Sequence, residues 1–283
     1  VADAAALRAR IDALSDMTGA AAAAETAALD IALSLAAVRY GVELASGTLE
    51  PRRVDGEIHV DPQRPDRAAL LAALAAAPEP RRALEAMAPA DPGYDALRGR
   101  LSAFRKLIAE DGWTAPAPDA RVLRRGDVGP EVARLRARLI ELGDAAPELA
   151  TVVVASNAAA APPAGFKSGK LRRLFPAAGF DDGLERAVIR FQTRHGLNAD
   201  GVVGRRTIEA MTDTAADRLR QIAVNLERMR WLNRDLGDRR IVVNQADFTM
   251  TLFDQGKEIE TMRVVVGKAK RHRTPEFSDV MTH

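Results

Sequence analysis

The chain has 283 residues, enough for two or three domains with well-buried cores. Hydrophobic residues make up 47% and charged residues 28%, which is the composition of a soluble globular protein. The formal net charge is only +2, so the pI of 9.1 is weak evidence for a polyanionic partner, and nucleic acid binding is not predicted. The sequence contains no cysteine, which excludes disulfides, thiolate metal sites and cysteine catalysis within these residues.

Neither a membrane span nor a leader is expected from the sequence. No run of 18 apolar residues occurs, and the chain starts at Val1 without methionine or a basic-then-apolar segment. We interpret this start as that of a trimmed chain. An exported protein loses its signal peptide, so the sequence is compatible with a periplasmic location.

Residues 1 to about 113 are predicted to be entirely helical. A first helix, ended by Gly47, carries a stripe of apolar residues at helical spacing, which consists of Leu29, Leu33, Ala36, Tyr40 and Leu44. Pro51 makes the segment from Leu49 to Asp55 a turn. A second helix starts at the N-cap candidate Asp66 and ends before Pro78.

A third helix opens with Asp91-Pro92, an N-cap residue followed by proline at the first helical position. The apolar stripe of this helix consists of Tyr94, Leu97, Leu101, Phe104 and Ile108. We expect both stripes to pack into a core. The proline-containing residues 114–120 are predicted to be a linker.

Residues 121–212 show three further predicted helices. The first starts at Gly129-Pro130, ends at Gly143, and has an apolar face of Val132, Leu135, Leu139 and Leu142. The second carries Leu184, Val188 and Phe191 on one face and ends at Gly196. Asp200-Gly201 is predicted to form a tight turn, and a short third helix carries Ile208 and Met211.

The end of this block reads F-Q-T-R-H-G-L-N-A-D-G-V-V-G-R-R-T from Phe191 to Thr207. It resembles the three-helix peptidoglycan-binding module attached to many cell-wall hydrolases and transpeptidases, and the resemblance implies such a module over residues 121–213. Family members join the first two helices by a short loop, whereas an insert of residues 144–179 intervenes here. The insert is of low complexity and is predicted to be irregular, so it could cover the usual binding groove.

Residues 214–236 are predicted to form a connecting helix with Leu219, Ile222, Leu226 and Met229 on one face. We expect Trp231-Leu232 to anchor this helix against the domain that follows. The apolar period then changes to two at Phe248, Met250 and Leu252, and Asp254-Gln255-Gly256-Lys257 turns the chain into a strand that ends with Met262, Val264 and Val266. This pattern predicts a β-hairpin.

The final 56 residues, from R-M-R-W-L-N-R-D-L-G at Arg228 through T-M-R-V-V-V-G-K to R-T-P-E-F-S, resemble the linker and opening strands of large multidomain L,D-transpeptidases. The segment G-T-L-E-P-R-R-V-D from Gly47 resembles the scaffold region of the same enzymes. The implied fold is mainly α with a C-terminal β segment. It comprises a helical scaffold domain at 1–113, the binding module at 121–213, the connecting helix at 214–236 and the first strands of the catalytic domain at 237–283.

The resemblance implies a peptidoglycan cross-linking enzyme in the periplasm. Its nucleophile is a cysteine activated by histidine within H-G-T and S-H-G-C motifs. Neither motif occurs among these 283 residues, so no catalytic residue is assigned and the chain alone is expected to be inactive. The alternative is a non-catalytic protein that anchors to peptidoglycan. A peptidoglycan hydrolase is disfavoured, since no paired carboxylates or zinc ligands occur in a plausible domain.

By its similarity to the binding module, the sequence suggests four ligand contacts at the end of the second helix and the following turn, namely Phe191, His195, Asp200 and Arg205. The structural alternative is favoured for two of them, with Phe191 in the core and Asp200 shaping the turn. His195 could instead interact with the last carbonyls of its helix.

The other histidines carry no predicted chemistry. His59 is predicted in a turn, His272 in a solvated basic loop, and His283 is the last residue. No histidine pair has zinc-site spacing, and no calcium or phosphate-binding loop is present. We therefore expect no metal or cofactor, peptidoglycan as the partner, and no particular oligomeric state.

Overall fold

The computed structural model describes residues 4–119, 122–146, 179–232, 236–268 and 271–282. The helices are α1 (Ala4–Ala13), α2 (Gly19–Ser46), α3 (Pro51–Val54), α4 (Arg67–Ala76), α5 (Pro80–Glu85), α6 (Pro92–Ala109), α7 (Pro130–Glu141), α8 (Asp182–Arg194), α9 (Arg205–Met211) and α10 (Ala215–Trp231). The strands are β1 (Ile58–His59), β2 (Arg240–Asn244), β3 (Thr249–Asp254), β4 (Lys257–Arg263) and β5 (Glu276–Phe277). The predicted fold, mainly α with a C-terminal β segment, is confirmed.

The chain divides into two compact units. The first joins Val1–Arg98 to Ala223–His283, and the second is Gly99–Ile222. The predicted domain boundaries stay predictions, because this division follows compactness alone. The predicted insert at 144–179 falls mostly outside the described residues, as do Arg121 and His283.

The helical part of the first unit follows the local sequence signals closely. The alanine-rich α2 ends at Gly47, which has a φ of +81° and donates its amide to Glu43. The N-cap Asp66 accepts a hydrogen bond of 2.8 Å from the amide of Ala69, as the sequence predicted. Two leucines of α4 then pack with Val38 of α2 in a small core.

The predicted core stripe of α2 is wrong in two places. Leu33 and Tyr40 are 42% and 52% exposed, although their spacing is helical. The neighbouring helices α4 and α5 pack instead on the side of Val38 and Gly41, where a Cβ at Gly41 would touch Leu70. Leu33 and Tyr40 lie about 200° around the helix from Val38, because each residue advances about 100°.

The first 113 residues are not entirely helical. Ile58 and His59 form strand β1, which pairs in parallel with β5, so the prediction of a turn at His59 is wrong. The predicted turn at residues 49–55 also contains the one-turn helix α3. A two-residue strand has no signal of its own in the sequence, because a partner more than 200 residues away creates it.

The expectation about membrane spans requires a correction. Helix α2 is 28 residues long, its most apolar window has a mean hydropathy of 1.5, and only 11% of that window is buried. By length and composition it could therefore cross a membrane. Core helices and signal sequences meet the same criterion, so this property alone does not establish a span.

The core of the second unit is formed by α7, α8 and α9, as predicted. Its fully or nearly fully buried residues are Val132, Leu135, Leu139, Leu184, Ala187, Val188, Phe191, Val203 and Met211. An isolated antiparallel bridge between Leu123 and Val203 joins the segment before α7 to the loop before α9. The predicted helix ends at Gly143 and Gly196 are also confirmed, with both glycines at positive φ.

The C-terminal strands form an antiparallel sheet in the order β2-β3-β4. The predicted hairpin is present between β3 and β4, where Gln255 and Gly256 have φ values of 49° and 74°. Two consecutive residues with positive φ are the signature of a tight hairpin turn. Every residue of β4 is exposed, so this sheet has little apolar core of its own among the described residues.

The end of the connecting helix α10 is anchored differently from the prediction. The indole of Trp231 is buried, donates to Glu227 across 3.3 Å, and lies beside Gly47 at the end of α2. Leu232 is exposed. Trp231 therefore holds α10 against the end of α2, whereas the sequence predicted an anchor against the following domain.

Candidate functional site

The four predicted ligand residues lie at the end of α8, in the loop that follows it, and at the start of α9. Phe191 is fully buried in the core of the three helices, in agreement with its structural alternative. Its ring stacks on that of His195, with 3.9 Å between the centroids. Phe191 is therefore part of the core and offers no exposed surface to a ligand.

Gln192 organises the loop, a role that sequence reasoning missed. Its side chain is buried, and its amide nitrogen donates to the carbonyl of Val202 at 2.9 Å and to Asp200 at 3.1 Å. Its amide oxygen accepts from the backbone N–H of Gly201 at 2.9 Å. One side chain thus satisfies three groups of the loop, which fixes the loop against α8.

Asp200 has the turn-shaping role that the sequence favoured. It accepts hydrogen bonds from the amide of Val202 at 2.9 Å and from the side chain of Asn198 at 3.0 Å. The hydrogen bond from Val202 is the main cause that lowers the pKa of Asp200. The carboxylate stays exposed, so one face of it remains accessible to solvent.

His195 is the C-cap residue of α8 and is half-buried. Its Nδ1 atom lies 2.8 Å from the carbonyl oxygen of Phe191, and Arg218 lies 3.0 Å from its Nε2 atom. Burial is the main cause that lowers the pKa of His195, and the positive charges of Arg194 and Arg218 add to it. Both ring nitrogens are therefore engaged within the protein, which supports the structural interpretation of this residue.

Arg205 presents the most accessible charge of the four residues. Its side chain is 90% exposed at the first position of α9, where it forms an i,i+4 ion pair of 2.7 Å with Glu209. This hydrogen bond is the main cause that raises the pKa of Arg205. An exposed ion pair on one helix is easily opened, so the guanidinium can turn toward an anionic group.

The two ends of the predicted insert are held firmly by arginines. Arg194 binds the buried carboxylate of Asp144 through two hydrogen bonds of 3.1 and 2.5 Å, and Arg190 donates to the Asp144 carbonyl. At the other end, the buried Arg136 donates to the carbonyl of Gly179 and to Asp181, both at 2.9 Å. Sequence reasoning missed this anchoring, because arginines on helices are usually solvated.

A further buried arginine joins the linker to the three-helix core. Arg138 donates to the carbonyls of Met211 and Asp213, and its guanidinium lies 5.0 Å from the ring centre of Trp113. Glu141 accepts hydrogen bonds from the backbone N–H groups of Thr114 and Ala115. Burial is the main cause that lowers the pKa of Arg138.

A cavity of about 520 Å³ lies at the start of α7, apart from the four predicted residues. Gly126, Asp127, Gly129 and Glu131 are among its lining residues, and Val128 exposes most of its side chain into solvent there. Among the described residues, its lining combines backbone, two carboxylates and apolar groups, without a basic side chain.

Comparison with protein families assigns three parts of the chain. Residues 2–101 match a scaffold domain, residues 172–211 match a putative peptidoglycan binding domain, and residues 238–283 match the L,D-transpeptidase catalytic domain. No curated protein matches the chain. The resemblance to a peptidoglycan-binding domain and to the first part of an L,D-transpeptidase catalytic domain is therefore confirmed, and α7 lies outside the matched residues.

Proposed function

We propose that this chain is the scaffold, wall-binding part and first catalytic strands of a peptidoglycan L,D-transpeptidase that works in the periplasm. The observation that carries this proposal is the succession of three matched segments in one chain, scaffold, peptidoglycan binding and transpeptidase, at 2–101, 172–211 and 238–283. Peptidoglycan-related domains belong to the cell envelope, which supports the location.

The geometry of the second unit supports peptidoglycan binding. The loop between α8 and α9 is fixed by Gln192, and next to it Arg205 exposes a guanidinium. Stem peptides of peptidoglycan carry carboxylates, for which a guanidinium is a suitable hydrogen-bond donor. We propose Arg205 as the primary contact, with Asp200 and His195 shaping the surface around it.

The reaction that we propose for the whole enzyme proceeds in two acyl transfers. A cysteine thiolate attacks the carbonyl carbon between the third and fourth residues of a donor stem peptide. The bond to the fourth residue breaks, and that residue leaves as an amine that takes up a proton. The amine of a neighbouring stem then attacks the thioester, which releases the thiolate and forms the cross-link.

None of the 283 residues can supply that thiolate, because the sequence contains no cysteine. We propose that the nucleophile is carried by residues outside this chain and that the chain by itself binds peptidoglycan without cross-linking it. The second candidate is a non-catalytic peptidoglycan anchor, which the match to a peptidoglycan binding domain at residues 172–211 also supports.

The experiment that separates these candidates uses the protein at its native length. Incubated with disaccharide-tetrapeptide, an L,D-transpeptidase forms a cross-linked dimer, and a thiol-blocking reagent abolishes the product. The 283-residue chain is expected to give no dimer. Absence of dimer from the native protein would favour the anchor, and dimer formed by the 283-residue chain would overturn the assignment of the nucleophile.

A further inference from the structure

We propose that the Asp55–His59 segment is a docking site that holds the Arg273–Phe277 segment and thereby positions the catalytic strands on the N-terminal helices. The inference rests on the proposed function, because it assigns a positioning role to the scaffold within the transpeptidase. Both segments belong to the first compact unit. We call them the docking segment and the docked segment.

The backbone contact between the two segments is a short parallel ladder. Ile58 pairs with Glu276 and His59 pairs with Phe277, and the amide of Glu276 donates to the carbonyl of Glu57 at 2.9 Å. The side chain of Ile58 is buried. Strands are usually three or more residues long, so a two-residue pair requires other contacts to persist.

An ion pair supplies the first of those contacts. Arg273 lies 2.7 Å from Asp55, and both side chains are about one-third exposed. The same carboxylate accepts a hydrogen bond of 3.0 Å from the amide of Glu57. The amide of Glu57 and the charge of Arg273 lower the pKa of Asp55, and Asp55 in turn raises the pKa of Arg273.

Asp55 therefore has two functions at the same place. It fixes the backbone that leads into β1, and it binds the arginine that leads into β5. The carboxylate couples the conformation of the docking segment to the presence of the docked segment, since one group serves both hydrogen-bond donors.

Two further contacts hold the docked segment from other directions. Arg228 on α10 lies 2.6 Å from Glu276, and the side chain of Gln245, after β2, donates to the carbonyl of Pro275 at 2.9 Å. The docked segment is thus held by the docking segment, by α10 and by the sheet together. These contacts are polar, which suits a sheet whose strand β4 is wholly exposed.

The entry into the β-sheet is fixed to the same helices. Glu227 on α10 accepts hydrogen bonds from the amides of Thr48 and Leu49 at 2.5 and 2.7 Å, and Arg230 donates to the hydroxyl of Tyr94 at 2.9 Å. The N-terminal part of the chain therefore contacts the C-terminal part both before it enters the sheet and after it leaves the sheet. This two-point attachment is what the positioning role requires.

Hydrogen–deuterium exchange on the full chain tests the docking. Arg273→Ala removes the ion pair and leaves the hydrogen bond between Asp55 and Glu57 intact. We expect the peptide covering residues 274–278, which contains the hydrogen-bonded amide of Glu276, to exchange on the order of 2- to 5-fold faster, the size of effect that a partly exposed ion pair supports. Asp55→Asn should act in the same direction, and the double variant should exchange less than the two single effects combined, because both remove one interaction.

Arg52→Ala is the matched control, because Arg52 forms a longer, more exposed ion pair of 3.4 Å with Asp61 in the same region. It should leave exchange at residues 274–278 unchanged. Equal exchange in Arg273→Ala and Arg52→Ala, or fully additive effects of the Asp55 and Arg273 changes, would overturn the docking proposal. Should Arg273→Ala unfold the first unit, the milder Arg273→Lys decides by the same measurement.

The outcome is independent of whether the protein binds peptidoglycan. Binding is assigned to the second unit, around Arg205, whereas the docking contacts all lie in the first unit. Loss of peptidoglycan binding with intact docking would therefore contradict the proposed function alone, and the reverse result would contradict the docking alone.

Discussion

Arg218 donates a hydrogen bond from Nη2 to the Nε2 atom of His195 across 3.0 Å. The other ring nitrogen, Nδ1, faces the carbonyl oxygen of Phe191, which can only accept a hydrogen bond. The partners therefore assign the proton to Nδ1 and make His195 neutral. A second proton on Nε2 would oppose the guanidinium of Arg218 and break this contact between α8 and α10.

This arrangement predicts that the second unit loses stability in acid. The pKa of His195 lies below its ordinary value of 6.5, mainly through burial, so the unfolded chain binds a proton more readily than the folded chain. The contribution of neutral His195 to the free energy of unfolding is complete above pH 6.5. It declines as the pH falls from there toward the folded-state pKa. The unfolding midpoint of His195→Gln should depend less on pH between 7.5 and 5 than that of the parent chain.

The carboxylates of Asp144 and Asp213 also lie near His195, and both are present in the parent chain and in His195→Gln. The difference in pH dependence between these two proteins therefore reports on the histidine. Identical pH dependence of the unfolding midpoint in the parent and in His195→Gln would contradict the assigned neutral state.

Replacing Gln192 by Leu should destabilise the second unit by about 1–3 kcal/mol, because it leaves loop groups such as the amide of Gly201 without their partner. Urea unfolding measures this change. Thr193→Ala is the matched control, since Thr193 is exposed and, within the part of the chain that the structure describes, its hydroxyl bonds to the carbonyl of Ile189 on its own helix. A cost of Gln192→Leu no greater than that of Thr193→Ala would show that the loop is held by other contacts.

Replacing Gly47 by Ala should weaken the attachment of α10 to α2. A Cβ there would lie 2.6 Å from Oε1 of Glu227 and 2.7 Å from Nε1 of Trp231, and the φ of +81° adds strain. We expect a loss of about 1–3 kcal/mol in the free energy of unfolding of the first unit. A blue or red shift of tryptophan emission should accompany it, since Trp231 is buried in the parent chain.

Gly19→Ala is a control that separates the effect of backbone strain from the effect of the steric clash. Gly19 has a similar φ of +66°, but a Cβ there would meet nothing within 4 Å. Gly47→Ala should therefore lower the free energy of unfolding more than Gly19→Ala does. Equal losses would mean that the close contact of the added Cβ with Glu227 and Trp231 does not affect stability.

Arg205→Ala should weaken peptidoglycan binding by at least about 10-fold, since a hydrogen bond to a charged group contributes about 1.5–3 kcal/mol. Arg81→Ala is a close control, because Arg81 is also 90% exposed and forms an i,i+4 ion pair, with Glu85. Binding isotherms on purified sacculi give the comparison. Equal affinity of the two variants would remove Arg205 from the site.

The local features of the fold could be predicted from the sequence, whereas features that depend on distant partners could not. The N-cap at Asp66 and the helix start at Gly129-Pro130 are encoded within a few residues, and both are confirmed. Strand β1 exists only because residues 276–277 pair with it, so no local pattern indicated it. The exposure of Leu33 followed from which side of α2 the neighbouring helices cover, which spacing alone does not determine.

In the candidate site, too, local features could be predicted from the sequence, whereas features that depend on distant partners could not. The buried position of Phe191 and the turn at Asp200 follow from helical spacing and from turn chemistry. The role of Gln192 depends on a loop that folds back onto α8, and a single glutamine after a buried aromatic residue does not reveal it. The roles of the arginines that hold Asp144 and Gly179 could not be predicted either, because charged residues on a helix are usually solvated.

Co-sedimentation of the 283-residue chain with purified peptidoglycan sacculi tests the central claim most directly. The account predicts saturable binding that soluble muropeptides compete away and that Arg205→Ala weakens while Arg81→Ala does not. A chain that stays in the supernatant at all sacculus concentrations, while its circular dichroism shows it to be folded, would contradict the account.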